Sequence, residues 1–422
     1  MSTSKRVITQ LARPQRSSAV TNLRAPWPRR SFAQQAAAIK TFPVHGAPLL
    51  DSNSKVEEEN WDWYSPDVFY PVNIGELFPP RYQVLGKLGF GTRSTVWLCR
   101  DLSVDKYVTL KVCERNSIAA ARELSAFRQL NLSRATHPGG QMVRRLLDTF
   151  KIRRVSGEHV CLVHEPLGPS IEMLRNTLPD RRLPKILLQN ILKTLLMALD
   201  FLHNEAKMIH TDLQAGNVHL RIRDTSILEE FEEQELNDPS PRKPIGKSFI
   251  FKSRDLAWDQ DPGHPILCDF GEARYGKTSY TDPIQPSAYR SPEVMFGVPW
   301  TSSVDIWNVG VMTWHMYQNR LLFPATDENG NYSEKIQLAA MAARIGPPPL
   351  EFLVRSTQRQ KYNASISEEA AKSTETSLEE SEQFLDPAER KLFCQFIRKM
   401  VQWVPERRKT AKQLLDDPWL NS

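Results

Sequence analysis

No Cys-x-x-Cys pair occurs in the 422 residues, and the five cysteines, Cys99, Cys113, Cys161, Cys268 and Cys394, are scattered along the chain. Their spacing excludes a thiolate metal finger or a disulfide framework and points to a reducing compartment. A run of about 18 apolar residues, the length a membrane span needs, is also missing. The most apolar stretch, Ile186 to Leu202, is broken by Gln189, Asn190, Lys193 and Asp200, so no membrane span is expected. Asp and Glu are absent from residues 1–50, where eight basic residues stand. Setting those eight aside leaves 47 basic against 49 acidic residues, so the formal charge of +6 belongs to the leader. The body of the chain carries no basic excess of the kind that binds nucleic acid directly, and none is expected as a partner.

Residues 1–50 form this basic leader. Rich in Arg, Ser, Thr and Ala and ending near Arg29-Arg30-Ser31-Phe32, it has the composition of a mitochondrial transit peptide. A disordered basic tail serving nuclear import fits the same residues. The mitochondrion is therefore the expected location, with cytoplasm and nucleus as the alternative. Residues 51–80 are acidic, aromatic and punctuated by proline. They are expected to lie as an extended strap on the first lobe, anchored by Trp61, Trp63, Tyr64, Phe69 and Tyr70.

What the chain does contain is a set of polar residues at chemically meaningful spacing. Met208 to Asn217 places Asp212 on a tight loop, with His210 two positions before it and Asn217 five after. That spacing resembles the catalytic loop of protein kinases, where the Asp accepts the proton of a substrate hydroxyl and the Asn holds magnesium on nucleotide phosphates. Upstream, Tyr82 to Arg100 alternates and turns as a hairpin with Gly89 and Gly91 at its tip, flanked by Leu88, Phe90 and Val96. Glycines there let backbone amides approach phosphates with no side chain in the way. Lys111 stands alone among apolar residues in the strand Val108–Val112, a costly position unless an anion meets it. Phosphate is one such anion, and the Glu123 carboxylate on a helix over Ala119–Leu130 is the other candidate partner. Cys268-Asp269-Phe270-Gly271 supplies a second magnesium ligand, Asp269.

The order of these motifs divides the chain. A small, mostly antiparallel β lobe with one main helix spans 81–166. The hinge follows at Glu165-Pro166-Leu167-Gly168, where Glu165 and Leu167 would meet an adenine. A larger helical lobe spans 167–420, with a helix over Leu183–Asn204 delivering the catalytic loop. This is an α+β, bilobal organisation. Between Asn217 and Asp269 the chain runs longer than a strand and a turn require, so about 223–264 is an insertion, of the length that is either functional or disordered. A second insertion is expected at about 346–384. Ser291-Pro292-Glu293 closes the activation segment. Glu293 is expected to pair with Arg408, and Asp305, opening a central helix, to accept hydrogen bonds from the catalytic-loop backbone.

Lys87-Leu88-Gly89-Phe90-Gly91, His210-Thr211-Asp212, and Ile284-Gln285 followed by Tyr289-Arg290-Ser291 together resemble the SR-protein kinases. Pro71-Val72-Asn73-Ile74-Gly75 and Arg344-Ile345-Gly346-Pro347-Pro348-Pro349 resemble the fungal branch of that group. The resemblance covers roughly residues 57–420. It implies a magnesium-dependent serine/threonine protein kinase that uses ATP on a protein substrate of the arginine-serine-rich kind and is expected to act as a monomer. Two positions depart from the general kinase pattern. Thr211 replaces the arginine that clamps a phosphorylated activation loop, which implies an enzyme that needs no such phosphate. Gln214 replaces a lysine: its amide can donate a hydrogen bond to the transferring phosphoryl group but cannot neutralise it, a loss worth on the order of 10²-fold in rate. A weak or pseudo-kinase acting as a nucleotide- or protein-binding module is the alternative that Gln214 and Ser94, at the third glycine position, keep open. A small-molecule kinase is disfavoured by Ser291-Pro292-Glu293, Asp305 and Arg408.

Overall fold

The computed structural model describes residues 38–43, 46–78, 81–133, 136–246, 248–373 and 377–422. Residues 1–37, most of the basic leader, lie outside them. The chain divides into two compact units. The first comprises Met1–Leu124, Arg144–Pro169 and Arg221–Gly263, and the second Ser125–Val143, Ser170–Leu220 and His264–Ser422.

The first unit is built on an antiparallel sheet of six strands: β1 (Leu77–Phe78), β2 (Tyr82–Gly91), β3 (Ser94–Asp101), β4 (Lys106–Arg115), β5 (Asp148–Arg154) and β6 (Gly157–His164). Their order across the sheet is β1-β2-β3-β4-β6-β5. Side chains alternate between faces along each strand, yet β2 to β4 are buried along most of their length because both faces are covered. Val84, Trp97, Cys99 and Leu110 pack on one face with Phe251. Leu85 and Leu98 pack on the other with Ile227, Leu228 and Phe231.

The residues covering the sheet come from the insertion. Read in chain order as part of the larger lobe, Arg221–Gly263 instead belongs to the first unit. It folds as a helix, Ser226–Asn237, and a hairpin of β7 (Arg242–Ile245) and β8 (Ser248–Phe251). The apolar stripe Ile227, Leu228, Phe231 of an otherwise acidic helix explains why it docks on the sheet rather than remaining in solvent. Gly86 on β2 makes room: a Cβ there would lie 2.7 Å from the Phe231 ring.

The second unit is helical. Lys185–Asn204 buries residues on all sides, from Leu187 to Leu202. Among the described residues it alone is long and apolar enough to cross a membrane, but 72% of that stretch is buried inside the protein, as in a core helix. Ser303–Gln318 is buried over almost its whole length, with Trp307 stacked on Phe323 at 5.4 Å. The stretch expected as a second insertion carries the short helices Leu350–Leu353, Ala364–Ala371 and Leu378–Ser381.

Candidate active site

In the first unit the glycine hairpin is the turn between β2 and β3, with Gly89 opposite Val96 and Gly91 opposite Ser94. A Cβ added at Gly89 would meet nothing of the protein within 4 Å. Packing therefore does not demand glycine there, and the missing side chain leaves the backbone open to close approach. Phe90 at the tip is exposed, and Leu88 and Val96 are half-buried. Lys111 lies on β4 opposite Val96 and Leu162. Its Nζ donates to Glu123 Oε2 at 2.8 Å, from the helix Ile118–Leu132. Glu123 is buried and most of the Lys111 side chain with it, so the pair is largely desolvated and fixed in place. Glu165 is exposed, 3.5 Å from Arg221, and Leu167 is half-buried.

In the second unit a short strand, Met208–Ile209, pairs with Arg274–Tyr275 and leads into the catalytic loop. The loop is held from below by Asp305, which is wholly buried in the first turn of Ser303–Gln318. Asp305 Oδ2 accepts from the His210 backbone N–H and Oδ1 from that of Thr211, both at 2.8 Å. His203 Nε2 approaches the same carboxylate at 2.8 Å. Thr211 adopts φ +70°, a left-handed conformation that costs a residue with a Cβ and persists because these bonds over-determine it. The Asp212 N–H donates to His210 Nδ1 at 3.3 Å, which leaves Nε2 to donate to the Cys268 carbonyl at 2.9 Å. The imidazole thereby ties the loop to the residue preceding Asp269.

The Asp212 carboxylate is half-buried. Asn217 Nδ2 donates to its Oδ2 at 3.0 Å and to the Asp212 carbonyl at 2.9 Å, and Gln214 Nε2 reaches both carboxylate oxygens at 3.3 Å. Burial pushes the Asp212 carboxyl above the usual carboxylate range, and the Asp269 carboxylate adds to the push. His210 and the Asn217 and Gln214 amides pull the other way. Asp269 is exposed at φ +62°, with its Oδ1 accepting from the Gly271 N–H at 3.2 Å. Phe270 is buried between Phe127 and His210, with ring centroids 5.5 and 5.3 Å away.

Among the described residues no group of three or more His, Cys, Asp or Glu side chains forms a metal cage. Asn217 and Asp269 offer oxygen donors only. That set fits magnesium, a hard cation that keeps waters and phosphate oxygens among its ligands, and does not fit zinc.

The activation segment is tied down by bonds from side chains in and beside it. Thr211 Oγ1 donates to the Glu272 carbonyl at 2.6 Å. Gln285, at φ +69°, donates from Nε2 to the Val304 carbonyl at 3.0 Å and to Asn308, and accepts at Oε1 from the N–H and hydroxyl of Ser291 at 2.9 and 3.0 Å. Glu293 and Arg408 form a two-pronged pair at 2.6 and 2.7 Å, both side chains wholly buried. Sequence reasoning quoted Gln285 only as part of a resemblance. A lone amide carries no periodic or charge signal that would single it out.

Comparison with known proteins identifies the family and the fold. The protein kinase domain family matches residues 82–237 and 251–420, the gap coinciding with the β7–β8 hairpin. A serine/threonine protein kinase of Aspergillus fumigatus is 42% identical over 397 residues, 93% of this chain and 97% of its own. The serine/threonine-protein kinase SRPK of Physarum polycephalum is 29% identical over 405 residues, 88% of this chain and 92% of its own. A crystal structure of a kinase domain shares the fold with a TM-score of 0.63 at 23% identity, covering 84% of this chain and all of that one.

Proposed function

The chain belongs to the protein kinase family, and from that premise we propose how its own residues divide the work of an ATP-dependent serine/threonine kinase. Asp212 takes the proton of a substrate Ser or Thr hydroxyl as its oxygen bonds to the γ-phosphorus of ATP and the bond to ADP breaks. Magnesium, when bound, neutralises charge on the phosphates, and Asn217 and Asp269 are the residues that would hold it. Lys111, fixed by Glu123, contacts the phosphates. The hairpin Leu88–Gly91 with Val96 covers them, and Glu165 and Leu167 line the adenine site. Gln214 directs its amide at the Asp212 carboxylate and orients it.

The observation that carries this reading is the Asp212 carboxylate itself. It is raised above the usual carboxylate range, held by two amides, and mounted on a loop whose backbone is pinned by buried Asp305. The hydroxyl-bearing substrate is a protein, and the likeness to SR-protein kinases supports arginine-serine repeats as its sequence. The bonds of Thr211 and Gln285 support activity without activation-loop phosphorylation. The test is radiolabelled phosphotransfer by the full chain to an arginine-serine peptide and to casein. Incorporation that favours the peptide and disappears in Asp212→Asn is expected; equal labelling by Asp212→Asn would overturn the assignment.

A further inference from the structure

The glycine hairpin is gripped at both ends by residues that belong to no part of the catalytic pattern. Lys87, at the root of the hairpin on β2, is wholly buried, which is exceptional for a lysine. Its Nζ lies 2.7 Å from Glu57 Oε2 and 2.5 Å from Glu58 Oε2, and donates to the Phe251 carbonyl at 2.9 Å. The Lys87 carbonyl in turn accepts from the Arg254 N–H at 2.9 Å. At the tip, Trp63 Nε1 donates to the Thr92 carbonyl at 3.2 Å, and the Trp63 ring stacks on Trp61 at 5.2 Å. Strap residues 57–63 thus touch both the root and the tip, while the insertion also bonds the root through the Phe251 carbonyl and the Arg254 N–H.

The strand being gripped needs support. The β2–β3 register shifts twice, between Val84 and Gly86 and between Lys87 and Gly89, so the ladder is interrupted on either side of the Gly86-Lys87 step. Glu57 adopts φ +48°, a strained conformation for a residue with a Cβ. It is held there while its carboxylate takes the Ser253 N–H and hydroxyl at 2.6 and 2.8 Å as well as Lys87. Burying Lys87 and Glu58, with Glu57 half-buried beside them, costs desolvation that hydrophobic residues would avoid. What the arrangement delivers instead is a fixed position for one flexible turn.

We propose that the strap Glu57–Trp63 is a built-in brace for the nucleotide hairpin, with Lys87 and Trp63 as its positioning residues at root and tip. This rests on the reading of Leu88–Gly91 as the phosphate-covering loop. Because the brace sets where the hairpin sits before nucleotide arrives, its loss weakens ATP binding and leaves phosphoryl transfer at saturating ATP unchanged.

The test uses the full chain with Trp63→Phe, which keeps an aromatic ring at an exposed position and removes one donor, and with Lys87→Met. Trp63→Phe is expected to raise KM for ATP about fivefold, the equivalent of one hydrogen bond of about 1 kcal/mol, with kcat and Tm unchanged. Backbone amides of residues 88–95 are expected to exchange hydrogen faster by a similar factor. Lys87→Met produces a larger change of the same kind. Where it unfolds the chain by stranding Glu58, Trp63→Phe alone decides. Wild-type KM together with wild-type exchange in Trp63→Phe overturns the brace. Failure of ATP to protect residues 88–95 from exchange in the wild-type chain overturns instead the assignment of the hairpin, so the two failures are separable.

Discussion

The catalytic loop and the glycine hairpin carry comparable duties, yet they are held in opposite ways. Asp212 is oriented mainly from within its own loop: Gln214 stands two positions away and Asn217 five. Lys87 is oriented by Glu58, 29 positions away, and by the Phe251 carbonyl, 164 positions away. A short loop with two amides at fixed offsets can place a carboxylate largely by stereochemistry, while Asp305 and the Cys268 and Glu272 carbonyls anchor the loop from a distance. A turn with glycine at two of its positions has few side chains with which to hold itself. Its order must be supplied from outside, here by a strap and an insertion.

The sharpest test of the local half is Asp212→Asn. It retains the shape and most of the hydrogen bonding, so phosphotransfer is expected to fall by about 10²–10⁴-fold with Tm unchanged. A loss of Tm in thermal melts would show that the loop depends on its carboxylate for folding and blur the contrast.

Glu293→Ala tests a long-range support in the second unit. It strands the buried Arg408 guanidinium, 115 positions away, and should cost about 3–5 kcal/mol. Thermal melts are expected to show a Tm lower by roughly 10 °C. A shift within error would mean that the Arg408 bonds to the Gln402 and Ser303 carbonyls suffice without the carboxylate.

Gln214→Lys changes charge inside the loop without changing its anchors. A cation beside Asp212 favours the carboxylate, so the base stays ionised to lower pH and the acid limb of kcat/KM moves down. In the wild type that limb is expected above the ordinary carboxylate value of about 4, because burial pushes the Asp212 carboxyl upward. The rate is expected to rise by as much as about 10²-fold, the size of one electrostatic contact. An unmoved acid limb would detach Gln214 from the base.

The smallest effect is expected from phosphatase treatment. With Thr211 and Gln285 already bonded within the second unit, activity should stay within about twofold, since activation-loop ordering by phosphate acts through contacts these residues replace. A fall to background that rephosphorylation reverses would reject this.

Legibility in the sequence followed the same divide. Lys111, Glu123, Asp212, Asn217 and Asp269 could be picked out because each is a polar residue at a recurring spacing or in an apolar strand. The structure brings Lys111 to Glu123, and Asn217 and Gln214 to Asp212. Gln285 and Trp63 carried no such mark, and Lys87 passed as one letter of a motif. The insertion looked like a loop because its helix is acidic, and only four apolar residues on that helix, Ile227, Leu228, Phe231 and Leu236, disclose its docking face.

By itself, then, the sequence determined the order of the chemical groups, the mixed α+β class of the fold and the close spacing of Asp212, Gln214 and Asn217, all set by spacing, strand alternation and turn chemistry that act over a few residues. Only the tertiary structure decided which unit the insertion joins, why a lysine is wholly buried beside a flexible turn, and what holds the activation segment. Those outcomes depend on which surfaces meet. Burial and charge pairing reward any complementary surface that the folded chain brings near, and no local pattern names that partner in advance.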